Sequence, residues 1–122
     1  MTLGLLTGNW REGARIKLSK AGLDGYFEFG AFGDGQPDRL GLPPVALERA
    51  AAVTGHEWRR EQCLIVGDSP ADVACARAHD IPALAVATGR TPAELLAAAG
   101  PRWLVDDLVG QRSHPAFAPV TA

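Results

Sequence analysis

Short apolar runs, each closed by a polar or glycine-bearing turn and followed by helical spacing, recur along the chain. The first is Leu3-Gly4-Leu5-Leu6, ending at Thr7-Gly8-Asn9. Glu28–Phe32, Cys63–Val66, Ala83–Ala87 and Trp103–Val105 follow it. Apolar runs without polar alternation suit strands covered on both faces. Between them, Ala14, Leu18 and Ala21 share one helical face, Arg15, Lys17 and Lys20 take solvent positions, and Gly22 is a C-cap. Pro43-Pro44 opens a second helix, with apolar surface from Val45, Ala46, Leu47, Ala50, Ala51 and Val53, closed by Gly55. A third helix starts at Pro70 and gives way at Asp80-Ile81-Pro82, after about His79. A fourth spans Pro92 to Ala99, capped by Thr91 and stopped by Gly100-Pro101. Asp106 to Val109 starts one more helical turn. Strand–helix alternation of this kind predicts an α/β, doubly wound, Rossmann-like parallel sheet with helices on both faces.

The chain has 122 residues, enough for one domain, expected over residues 1–110 with a loose tail at 111–122. A hydrophobic fraction of 47% argues against disorder, and a net charge of −2 gives no electrostatic case for nucleic acid or a membrane surface. No apolar run approaches membrane-spanning length. The cysteines, Cys63 and Cys75, lack metal-ligand spacing and read as buried thiols of a reducing compartment, so a cytoplasmic location is expected. His56, His79 and His114 are scattered and suggest neither a metal cluster nor a triad.

Candidate chemistry gathers at Gly67-Asp68-Ser69-Pro70-Ala71-Asp72, where an apolar strand ends and a helix begins. Carboxylates beside helix N–H groups at strand ends are where open α/β sheets hold ligands and hard cations. The plainer alternative makes Asp68 an N-cap and Asp72 a partner of the helix dipole. Thr7 and Asn9 could likewise be caps; the functional alternative is a hydroxyl and an anion nest formed by neighbouring amides. Arg39 is the loop cation nearest a helix start. Asp106 and Asp107 read as a surface helix start.

Leu5-Leu6-Thr7-Gly8-Asn9 and Gly67-Asp68-Ser69-Pro70-Ala71-Asp72 resemble, in order and spacing, the second and fourth motifs of the haloacid dehalogenase (HAD) superfamily of Mg²⁺-dependent hydrolases. The resemblance runs from Leu3 to Leu108, and the segments from Ala87 onward follow the phosphoglycolate phosphatase-like branch. It implies a phosphatase acting on a small phosphorylated metabolite. Thr7 would hydrogen-bond the transferring phosphoryl group, with the Gly8 and Asn9 amides nearby. Asp68 would be a direct Mg²⁺ ligand, and Asp72 would hold metal-bound water or orient a basic residue. Arg39, preceding Leu42-Pro43-Pro44, takes the place of the third-motif cation, where the family often has Lys.

The family's first motif, D-x-D-G, which supplies the nucleophile and the general acid/base, is not found ahead of Thr7, and neither is the cap domain. In the family fold that motif's strand lies between those carrying the second and fourth motifs. The expectation is therefore the C-terminal piece of a longer hydrolase, inactive in isolation. The alternatives are a remnant in which Leu3–Leu6 pairs directly with Cys63–Val66, or one that receives a strand from a partner chain or a second copy. A non-catalytic phosphate/Mg²⁺-binding or assembly module is the rival function. A receiver-type signalling domain would need an acidic pair after the first strand, where Thr7-Gly8-Asn9 stands.

Overall fold

The computed structural model of the chain describes residues 3–7, 12, 15–16, 19–20, 22, 25, 27–32, 39–111 and 113–117. The chain divides into two compact units, Met1–Trp58 and Arg59–Ala122.

In the first unit, β1 (Gly4–Leu6) and β2 (Phe29–Ala31) pair in parallel, with Gly4 opposite Phe29 and Leu6 opposite Ala31. The glycines have a packing reason: a Cβ on Gly4 would fall inside the Phe29 ring, and one on Gly30 would meet the Phe32 ring. Of the expected helix after Thr7, only positions 12, 15, 16, 19 and 20 are described, and these are helical. Gly22 ends it in the left-handed region, φ +71°, donating to Ser19 O at 3.1 Å. The expected 33–39 loop lies, up to residue 38, outside the described residues.

Helix α1 (Leu42–Thr54) follows a 3-10 turn, Arg39–Gly41. Pro43 and Pro44 occupy its first turn, where the missing N–H groups cost nothing. Gly55 closes it at φ +71°, its N–H reaching Ala51 O at 2.8 Å. Leu42, Pro43 and Ala50 are buried, whereas Val53, expected on the apolar face, is 52% exposed. Arg49 Nη1 donates to Gly30 O at 2.6 Å, tying α1 to β2.

The second unit is a three-stranded parallel sheet in the order β3 (Ile65–Gly67), β4 (Ala83–Val86), β5 (Trp103–Val105). Its helices are α2 (Pro70–Ala78) and α3 (Ala93–Ala98). Val73, Ala85 and Leu96 form the centre of the core, one from each of α2, β4 and α3. After α2, Ile81 N–H bonds Ala76 O at 2.9 Å and Asp80 N–H bonds Arg77 O at 3.3 Å, a Schellman closure. Asp80 occupies the left-handed position, φ 56°, that glycine usually fills.

Several sequence expectations change. The N-cap of α3 is Pro92, without a side-chain bond, so Thr91 does not cap it. Residues 106–109 form a turn instead of a helix, because Asp107 Oδ1 accepts from Val109 N–H at 2.8 Å and competes with helical pairing. Beyond them a 3-10 turn, Pro115–Phe117, is fixed by Ala116 N–H on His114 Nδ1, and the His114 ring meets Trp103 edge-on at 6.0 Å. Cys75 is buried but Cys63 only half so. Cys63 precedes β3, and its thiol donates to Arg59 O. Burial first, and the Glu61 charge second, push that thiol's pKa up, which makes it a poor nucleophile.

Among the described strands, β1 pairs with β2 alone and β3 with β4 alone. No helix of the described residues is long and apolar enough to cross a membrane.

Candidate functional site

The β3–α2 turn is built by a glycine, two aspartates and a serine. Gly67 ends β3 without a side chain, and a Cβ there would occupy the place of the Asp72 side chain. Ser69, in extended conformation, is the N-cap of α2; its Oγ accepts from Asp72 N–H at 3.3 Å. In return Asp72 Oδ2 accepts from Ser69 Oγ at 2.9 Å, Ser69 N–H at 3.2 Å and Asp68 N–H at 3.1 Å. This is a capping box with Asp at its third position and Pro70 in the first turn. The cap thus belongs to Ser69 and not to Asp68. Asp72 complements the helix N-terminus, as the plainer reading held, and fixes the backbone under Asp68.

Asp68, with its side chain outside the cap, is exposed. Its carboxylate lies against Gly89, in the turn after β4: a Cβ on Gly89 would stand 2.8 Å from Asp68 Cγ and closer still to Oδ2. The carboxyl ends of two adjacent parallel strands therefore converge on one carboxylate. Gly89, legible in the sequence only as a strand terminator, is the residue of this site that sequence reasoning passed over. Its signal was the Thr88-Gly89 pair that ends the Ala83–Ala87 apolar run.

The other candidates belong to the first unit. Thr7 follows β1, half-buried, and its N–H extends the β1–β2 ladder to Ala31 O at 3.1 Å. Gly8 and Asn9 lie outside the described residues, and so does any anion nest they form. Arg39 opens the 3-10 turn that runs into α1; its side chain lies outside the described residues. The structure joins Asp68 and Asp72 in one hydrogen-bonded turn, and it describes Thr7 and Arg39 within their own unit.

Among the described residues, no three His, Cys, Asp or Glu side chains converge as a metal cage. Two carboxylates and no softer donor suit Mg²⁺, which keeps several waters and takes one or two protein carboxylates beside substrate phosphate oxygens. The place a Cβ on Gly89 would take is filled by the Asp68 carboxylate, so the absent side chain is what lets that carboxylate stand at the exit of β4.

A profile of HAD-like hydrolases matches residues 42–110, more than half of the chain. The chain belongs to the HAD-hydrolase-like family. A relative in that family, the phosphoglycolate phosphatase of Synechococcus elongatus, is 30% identical over 108 residues, covering 87% of this chain and 47% of the relative. A structure from Thermotoga maritima assigned as a β-phosphoglucomutase superposes with a TM-score of 0.71 at 26% identity, over 86% of this chain and 48% of that one. A Clostridium acetobutylicum protein, assigned as a phosphatase by prediction, shares the fold with a TM-score of 0.73 at 21% identity, over 88% and 49% of the two chains. The chain thus spans about half the length of the HAD relatives it matches, and the parallel α/β architecture is the one they share.

Proposed function

We propose that this chain carries the metal-binding and phosphate-positioning part of a Mg²⁺-dependent HAD phosphatase acting on a small phosphorylated, phosphoglycolate-like metabolite. The observation that carries the reading is the exposed Asp68, its carboxylate set over Gly89 and its backbone N–H held by Asp72 Oδ2. Asp68 is the direct Mg²⁺ ligand, and Asp72 positions it through the backbone. Thr7 orients phosphoryl oxygens with the Gly8 and Asn9 amides, and Arg39 neutralises phosphate charge. The bound cation would gather negative charge on the phosphoryl oxygens, the chief need of phosphoryl transfer. No D-x-D-G occurs among the 122 residues, so the reading assigns the nucleophile to protein outside them and expects no phosphate-ester turnover from this chain alone.

Calorimetric titration of Mg²⁺ into the wild-type chain and into Asp68→Asn tests the metal assignment. Binding is expected in the first and lost in the second; equal affinities would sink it. Mg²⁺-dependent hydrolysis of p-nitrophenyl phosphate by the pure chain, abolished by Asp68→Asn, would overturn the expected inactivity.

A further inference from the structure

We infer that Arg90 is the oxyanion-positioning residue of the Asp68 site, holding an anionic oxygen of the phosphorylated substrate beside the carboxylates. The inference rests on the proposed metal reading and extends it to a residue outside the motifs. Two carboxylates within one turn repel an incoming phosphate; a bound Mg²⁺ offsets that charge in part, and a side-chain cation at the same strand ends would offset more of it and add directed donors. The second unit contains no lysine.

Topology sorts its described arginines. The strands are parallel, so everything just before a strand lies at one end of the sheet and everything just after lies at the other. Arg59 and Arg60 precede β3, and Arg59 pairs with Glu61 at 3.3 Å. Arg102 precedes β5 and lies over the Trp103 ring at 4.6 Å. Arg77 ends α2 and donates to Ala99 O at 3.2 Å. Arg90 alone among these follows a strand, at the carboxyl end where Asp68 stands. It is exposed and makes no hydrogen bond or ion pair with the described residues. Its neighbour Gly89 touches the Asp68 carboxylate, which puts the Arg90 Cα about 3.8 Å along the chain from that contact. From that Cα an arginine side chain is long enough to reach the same strand ends, and its forked donors match phosphate or carboxylate oxygens.

The test uses inorganic phosphate as the probe, titrated with Mg²⁺ present into the wild-type chain, Arg90→Ala, Arg90→Lys and Asp68→Asn. Affinity is read by ³¹P resonance and the contact by amide shifts around residues 88–91. Loss of a charged hydrogen bond predicts a fall in phosphate affinity of about tenfold or more for Arg90→Ala, partly restored in Arg90→Lys. Mg²⁺ affinity should be retained in both. Phosphate affinity unchanged in Arg90→Ala, or no phosphate binding by a wild-type chain that does bind Mg²⁺, overturns the role of Arg90 and leaves the metal assignment standing. Failure of wild-type Mg²⁺ binding overturns both.

Discussion

β3 and β4 are neighbouring parallel strands of similar apolar composition, yet they live in different surroundings. Every residue of β4 is buried, and Leu84 is wholly so. In β3, Ile65 and Gly67 are half-buried and Val66 is 43% exposed. The cause is pairing: β4 has a strand on each side, whereas β3 has one among the described strands. Burial within a sheet is set by neighbours, and an apolar run does not state how many it will have. The candidate chemistry stands at the exit of the more open strand, where a carboxylate keeps its hydration, while the buried strand contributes through the glycine after it.

The contrast predicts unequal costs for truncation. Leu84→Ala should destabilise the chain by about 2–5 kcal/mol, and Val66→Ala by well under 1.5 kcal/mol, since only the first leaves a cavity in a closed core. Urea unfolding of both variants measures this; comparable costs would mean that β3 is as enclosed as β4. Next in size is Gly89→Ala, whose methyl must displace the Asp68 carboxylate. Under the metal assignment, Mg²⁺ affinity should fall roughly tenfold, as for loss of an orienting contact. Thermal stability should change little, because residue 89 is exposed. An unchanged Mg²⁺ affinity would separate the two strand ends functionally.

Ser69→Ala removes the cap at the β3 exit and should cost about 1 kcal/mol of unfolding free energy. Asp80→Gly, in the turn leading to β4, should instead stabilise by up to about 1 kcal/mol by relieving a left-handed conformation that glycine adopts freely. A lower melting temperature would show that the Asp80 side chain contributes more there than its backbone costs. The smallest effect concerns Cys63, just before β3. Its thiol is harder to ionise folded than unfolded, so stability is fully present below the unfolded thiol's value near 9.0 and declines as pH rises through the higher folded-state value. Cys63→Ala should flatten that decline in urea titrations above pH 9, and a slope identical to wild type would dismiss it.

Much of the second unit was legible beforehand. Apolar runs at 63–66, 83–87 and 103–105, and proline at a helix start, lead directly to β3, β4, β5 and α2, because strand burial and helix initiation leave local marks in composition. The capping box is present in the sequence as Ser69-x-x-Asp72, but the same spacing serves a helix cap and a ligand set, and only hydrogen-bond geometry assigns Asp72 Oδ2 to the cap. The turn at 106–109 escaped for a related reason, since an aspartate that starts helices also closes Asx turns.

By itself the sequence determined the family motifs, the parallel α/β class and the carboxylates on which a metal reading rests, for these are matters of residue type and local order. Tertiary structure alone decided which aspartate caps and which stays open to solvent. It also decided that Gly89 must lack a side chain and that β4 is enclosed while β3 is not. The cap is a choice of local hydrogen-bond geometry that residue type leaves open; the Gly89 and β4 outcomes depend on what another segment, distant in the chain, places within a few ångströms, and no local pattern encodes that distance.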